Sequence, residues 1–154
     1  MTDPAIQIRQ ANANDAPTLA EFNIAMARET EERGLDRATI TAGVKAIFDN
    51  PDHGFYVVAD MDEKIVGSLM ITKEWSDWRN GVFWWIQSVY VAPDFRRRGI
   101  YKMLYQHVKQ LAQTTGGICG FRLYVEKDNN RAQQTYASLG MQATDYLLYE
   151  EEIS

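Results

Sequence analysis

The sequence predicts an α/β fold, a single domain built on a mixed sheet. Strand-period segments dominate the first half, and strand–helix–strand units follow in the second, the order expected of layered α/β domains. The most apolar stretch, residues 82–91, is almost continuously hydrophobic, the pattern of a central strand covered on both faces. At 154 residues the chain suits one domain and hides roughly 68–70% of its unfolded surface without staples.

The elements follow in order. Residues 5–11 alternate Ile6 and Ile8 with polar neighbours, the period of a half-buried strand. Asn14 or Asp15 then caps a helix with Pro17 in its first turn. Leu19, Phe22, Ile24, Ala25 and Met26 carry that helix to about Glu32, where Gly34 stops it. A second helix covers 37–48, and Asn50-Pro51-Asp52 turns the chain. Residues 54–59 form a strand, 60–64 a turn, and 65–72 the returning strand. Asn80-Gly81 signals a type I′ hairpin, whose two central residues both need positive φ. It opens the apolar strand 82–91.

A helix from Arg98 to Thr114 places Ile100, Met103, Leu104, Val108, Leu111 and Ala112 on one stripe. Gly116-Gly117 ends it. A strand at 121–125, a helix at 130–139 and a last strand at 142–150 complete the chain, with no repeat, linker or low-complexity tract.

Composition narrows the function classes. Hydrophobic residues make up 45% and charged residues 24%, values that exclude disorder or a fibrous repeat. Sixteen basic against 21 acidic residues leave a net charge of −5. That averaged field repels nucleic acid and anionic membrane. A single cysteine, Cys119, excludes an internal disulfide or a cysteine-based metal site, and no metal is expected. Opening an apolar strand, with neither His53 nor His107 evidently paired to it, Cys119 reads as a small core residue. No apolar run approaches the roughly 18 residues of a membrane span. Met1-Thr2-Asp3-Pro4 is acidic and lacks a signal peptide's apolar core, so the expected address is the cytoplasm.

The chemistry concentrates in two segments. In Val89-Tyr90-Val91-Ala92-Pro93-Asp94-Phe95-Arg96-Arg97-Arg98-Gly99-Ile100-Tyr101 a buried strand ends, three arginines and a glycine follow, and an amphipathic helix begins. Helix-start amides lack intrahelical acceptors and converge on whatever lies above them. With the helix dipole they make a phosphate or diphosphate site, and Gly99 lets the anion approach the main chain. A solvated charged face is the plainer reading of such a cluster, but the strand-to-helix junction argues against it. Neither G-x-x-x-x-G-K-[ST] nor a strand-linked G-x-G-x-x-G is present. The second segment runs over residues 123–141. There Asn129 can cap the following helix or offer its amide to a ligand. Ala132 and Tyr136, four apart, share a helix face, where a tyrosine can pack or act as an acid.

Together the segments resemble the GNAT superfamily of acyl-coenzyme-A N-acyltransferases. The family's V-x-P-x-[YF] strand end and [RQ]-x-x-G-x-[GA] turn correspond to Val91-Ala92-Pro93-Asp94-Phe95 and Arg96-Arg97-Arg98-Gly99-Ile100-Tyr101. Its second motif is matched by Leu123, Val125, Asn129, Ala132, Tyr136, Gly140 and Met141. The resemblance covers the whole chain. It implies a mostly antiparallel sheet flanked by helices, whose two central parallel strands splay apart for acetyl-CoA. Pantetheine would run beside the backbone of Val89, Tyr90 and Val91. The diphosphate would sit on the turn formed by Arg96, Arg97, Arg98, Gly99, Ile100, Tyr101 and Lys102. Asn129 and Ala132 would contact the cofactor arm. Tyr136 would protonate the departing thiolate, a role that suits a phenol near pKa 10 and a thiol near 8.5. A lysine-like amine near 10.4 must first lose a proton, at a cost of about 4.6 kcal/mol at pH 7, so a base is useful.

Two departures from the family pattern bear on that chemistry. Tyr101 stands where Gly or Ala is usual; its amide survives, but its ring must point away or pack on the cofactor. Gln87, beside Ser88, occupies the region where many relatives carry a glutamate base. An amide cannot accept a proton at neutral pH, so Gln87 would hold a water or a substrate carbonyl. Replacement bases lie at Glu29, Glu31 and Glu32, ending the first helix, or at Glu74 before the hairpin. All four tryptophans fall between positions 75 and 85, and Trp84 and Trp85 must face opposite sides of their strand. Trp75 and Trp78 could wall an acceptor pocket, form a homodimer contact, or simply pack. The expected activity is acetyl transfer from acetyl-CoA to a primary amine on a small molecule, with Glu29, Trp75, Trp78 and Ser88 toward the acceptor. The acids and aromatics suit a cation. A peptide acceptor and a noncatalytic acyl-CoA-binding module stay open beside it.

Overall fold

The structure, a computed structural model, describes residues 5–153. Residues 1–4, read above as lacking a leader's apolar core, lie outside them. The chain gathers into two compact units divided after Leu123.

The first unit is a five-stranded sheet in the order β1-β2-β3-β4-β5 with three helices. After β1 (Ile6–Gln10), Asn12 caps a short 3-10 turn by accepting from the Asn14 amide at 2.9 Å. The Asp15 carboxylate returns the contact to the Asn12 amide, also at 2.9 Å. Asn12 thus caps the 3-10 turn, while Asp15 holds the N-cap position of the helix that follows without a side-chain cap bond. Asp15 is drawn off by Arg9, whose guanidinium reaches it at 2.8 and 3.1 Å. Helix α1 (Ala16–Glu31) and helix α2 (Arg37–Asp49) follow, the latter capped by Asp36 on the Thr39 amide at 2.9 Å.

Strands β2 (Gly54–Met61) and β3 (Lys64–Ser76) meet at Asp62 and Glu63, with φ of 54° and 65°. Two positive φ values in a two-residue loop are the type I′ signature, here at a site without Asn-Gly. The β3–β4 connection is instead four residues long: Ser76 faces Gly81 as β4 (Gly81–Val91) begins, and only Asn80 has positive φ, 48°. The expected Asn80-Gly81 type I′ turn does not form. Gly81 serves a close approach: a Cβ there would meet Cys119 Cβ and the Gly117 carbonyl at 3.1 Å.

Helix α3 (Ile100–Thr115) then crosses to β5 (Ile118–Arg122), which lies parallel to β4, the other pairings being antiparallel. β5 starts and ends three residues earlier than expected because it leaves directly from Gly117. Its register skips Cys119, Val82 facing Ile118 and Phe83 facing Gly120. As the extra residue of that irregularity Cys119 is exposed, which corrects its reading as a core residue.

Each sheet face is covered. Tyr56 and Val58 join Ala16, Leu19, Ala20, Val44 and Ile47 of α1 and α2 in one core. By strand alternation Val57, Leu69 and Ile71 face the other way, toward α3, whose Ile100, Leu104 and Val108 are buried.

The second unit holds α4 (Asn130–Ser138), closed by the Met141 amide on the Tyr136 carbonyl at 3.1 Å and by Gly140 at φ +100°. The expected strand at 142–150 is absent: residues 141–153 form no regular element. Tyr146, Leu147, Leu148 and Tyr149 are exposed, and they lack the alternation of a one-sided strand. A strand needs a ladder partner, and the described residues of this unit contain none. Among the described residues, no helix is long and apolar enough to cross a membrane.

Candidate active site

The site starts from a strand that outruns its neighbour. Pairing between β4 and β5 stops at Trp85 and Arg122, whereas β4 continues to Val91 with only β3 beside it among the first unit's strands. Within that extension the β3 register jumps from Met70–Gln87 to Ser68–Tyr90, inserting one extra residue into β4. Ser88 absorbs the bulge at φ 51°, a conformation costly for a non-glycine residue and concentrated at functional positions. The outer edge of residues 86–91 thus has no second strand beside it among the first unit's strands.

That edge leads into the arginine turn. Pro93–Phe95 makes a 3-10 turn, Arg97 takes φ 66° and Gly99 φ 76°, and α3 begins at once. The first helical contact is the Met103 amide on the Gly99 carbonyl at 3.0 Å. The amides of Gly99, Ile100 and Lys102 lie ahead of it, where a helix start supplies no intrahelical acceptor and its dipole favours an anion. A Cβ at Gly99 would touch nothing within 4 Å, so this glycine serves backbone conformation rather than packing. The Tyr101 ring stacks on Tyr105 one turn along, with centroids 6.2 Å apart and planes 8° from parallel. Its departure from the small-residue pattern is thereby housed along the helix.

The three arginines divide. Arg97 and Arg98 are exposed beside the turn, with Arg98 over the Phe95 ring at 5.3 Å. Arg96 points elsewhere: Nε donates to the Val91 carbonyl at 2.8 Å, a terminal nitrogen to Glu29 at 2.7 Å, and the guanidinium lies 5.4 Å from the Tyr90 ring centre. The Tyr90 hydroxyl donates to the other Glu29 oxygen at 3.3 Å, and its ring meets Phe22 of α1 at 4.8 Å. Burial, reinforced by the Glu29 charge, pushes the Tyr90 hydroxyl above its ordinary value.

Gln87 donates to Thr72 Oγ1 at 2.8 Å, and Ser88 and Val89 are half-buried. Glu74 is not brought to this end. It pairs across from Phe83, roughly 20 Å along the strand from Tyr90, where it accepts from Trp85 Nε1 at 3.1 Å and Arg122 at 2.8 Å. Trp75 and Trp78 belong to that distant end too and are exposed. In the second unit, Asn129 Oδ1 accepts from the Ala132 amide at 3.1 Å, realising its cap reading, and burial raises the Tyr136 hydroxyl above its usual value. The Glu29–Tyr90–Arg96 contact escaped sequence reasoning because its members are 61 and 67 positions apart. One local signal existed: a glutamate in the last turn of α1, where the dipole disfavours it.

The model of the acetyltransferase (GNAT) family matches residues 15–141. The chain belongs to the GNAT acetyltransferase family. It is similar to the crystal structure of a possible acetyltransferase from Clostridium difficile 630, with 46% identity over 97% of this chain and 98% of that one and a TM-score of 0.91. More distant GNAT-like folds include a ribosomal-protein-alanine N-acetyltransferase from Brucella melitensis biovar Abortus 2308, at 17% identity and TM-score 0.76 over 97% and 100% of the chains. Another is AAC(6')-Iy in complex with the bisubstrate analog CoA-S-monomethyl-acetylneamine, at 18% identity and TM-score 0.77 over 97% and 99%. No curated protein matches the sequence.

Proposed function

We propose that this GNAT protein transfers acetyl from acetyl-CoA to a primary amine on a small molecule. The observation that carries the donor half is β4 running past β5 into a left-handed turn, with helix-start amides at Gly99, Ile100 and Lys102. The main chain of Val89 and the amide of Val91 would hold the pantetheine, and Arg97 and Arg98 would add cationic donors to the diphosphate. Acetyl-CoA supplies the activated thioester. The chain binds and orients it, accepts the amine, and moves two protons.

In the proposed step the neutral amine nitrogen bonds to the thioester carbonyl carbon, the carbon–sulfur bond breaks, the sulfur takes a proton from Tyr136, and the tyrosinate regains one from solvent. A phenol is protonated at pH 7 and so can donate, while the burial that raises Tyr136 weakens it as an acid. The acceptor would enter on the α1–α2 face of β4, because Ile100, Leu104 and Val108 of α3 close the other. Half-buried Gln87 and Ser88 lie at the bulge, and Glu29 stands near its end. The amine's proton would leave through a water held there, in place of the more remote Glu74.

Purified protein would be given acetyl-CoA and a panel of amines and peptides, with thiol release followed by a chromogenic reagent and donor binding by calorimetry. Turnover on small amines, and no binding of ATP, is the expected result. Binding without thiol release on any acceptor would reduce the protein to an acyl-CoA-binding module. Faster turnover on peptides than on free amines would move the acceptor to protein.

A further inference from the structure

Arg96 opens the phosphate-turn motif, yet its guanidinium is engaged by three groups. Nε holds the Val91 carbonyl at 2.8 Å, a terminal nitrogen holds Glu29 at 2.7 Å, and one face covers the Tyr90 ring. Glu29 is equally committed, its second oxygen accepting from the Tyr90 hydroxyl at 3.3 Å. A carboxylate this close offsets the charge that a diphosphate would want, and turning Arg96 toward one would give up these contacts. A glutamate in the last turn of α1 also opposes the helix dipole, so local helix stability does not account for it. The ion pair is about two-fifths exposed on both sides, and such pairs add little to folding. What the cluster does is tie the C-terminal end of α1 to the open end of β4, directly beyond the Ser88 bulge.

We infer that Arg96 and Glu29 are positioning residues for the acceptor amine, not ligands of the donor. They set the gap between α1 and the bulge through which the acceptor enters, and they leave the diphosphate to Arg97, Arg98 and the helix-start amides. This rests on the acetyltransferase reading above and gives the α1 side of the site a specific determinant. The forked guanidinium matters because it holds the carbonyl, the carboxylate and the ring face at once, which a lysine cannot do.

Arg96→Gln and Glu29→Gln would be compared with the wild type by calorimetry with CoA and by steady-state kinetics with the best amine acceptor. The expected result is an acceptor KM raised about five- to tenfold in either variant, with kcat within threefold and CoA Kd within twofold of wild type. The swapped pair Glu29→Arg with Arg96→Glu should return KM to within threefold of wild type, a recovery that mere loss of packing would not give. Should the swap fail to fold, Arg96→Lys is expected to fall between wild type and Arg96→Gln in KM. A tenfold loss of CoA affinity in Arg96→Gln would make Arg96 a phosphate ligand and overturn the inference. An unchanged acceptor KM in both single variants would overturn it as well. Failure of wild-type protein to bind CoA would instead sink the acetyltransferase reading, and calorimetry on the wild type separates the two failures.

Discussion

At the scale of single residues, the site works by giving similar side chains different neighbours. Arg96 and Arg97 are adjacent in sequence, but one is held by a carboxylate, a carbonyl and a ring, while the other stands exposed at φ 66°. Two tyrosines are both raised by burial, and Tyr90 is raised further by the Glu29 carboxylate it donates to. If Tyr136 is the thiolate's acid, Tyr136→Phe should lower kcat about 10²- to 10³-fold at pH 7. The same variant should leave CoA Kd within twofold. Rapid-quench measurement of acetyl transfer checks this, and an unaltered rate would remove the tyrosine from the chemistry. Asn129, by contrast, was open in the sequence between cap and ligand, and its side-chain oxygen serves the Ala132 amide.

At the scale of elements, the decisive feature is a mismatch of lengths. β4 has eleven residues and β5 has five, so the parallel pair closes at one end and opens at the other. The bulge at Ser88 and the turn at Gly99 sit in that open end, and both need left-handed backbone. Gly99→Ala would place an L-residue at φ +76°, a strain of about 1–2 kcal/mol. Its methyl would meet no protein atom and would project where the diphosphate is proposed to bind. The variant should therefore fold, with a slightly lower melting temperature, and lose at least tenfold in CoA affinity by calorimetry. A variant binding CoA as well as wild type would move the diphosphate away from this turn. The turn was legible because Arg96-Arg97-Arg98-Gly99 between strand and helix is a local pattern. The β2–β3 turn was not, because Asp62 and Glu63 carry no Asn-Gly signal for their positive φ.

At the scale of the whole molecule, pH acts on the fold through groups whose surroundings shift them. Hydrogen bonds from Arg9 hold the Asp15 carboxyl below its ordinary value, so its contribution to stability is present above pH ~4 and is lost as pH falls below that. Burial raises Tyr56, Tyr105 and Tyr136, so their neutral forms favour the folded state below pH ~10, and that advantage is lost as pH rises past it. Thermal unfolding followed by circular dichroism from pH 3 to 11 should show a plateau between about 5 and 9 that declines on both sides. A midpoint still rising at pH 11 would contradict the alkaline half. The sequence by itself determined the strand and helix order through β5 and α4, the arginine turn and the family, because period and motif are properties of neighbouring residues. It also predicted a strand at 142–150, to which the described residues of its own unit give no partner. Only the tertiary structure decided that Glu74 belongs with Trp85 and Arg122, that Glu29 belongs with Arg96 and Tyr90, and that Cys119 turns outward. Those contacts join residues far apart in the chain, and strand register and helix placement, which no local pattern encodes, bring them together.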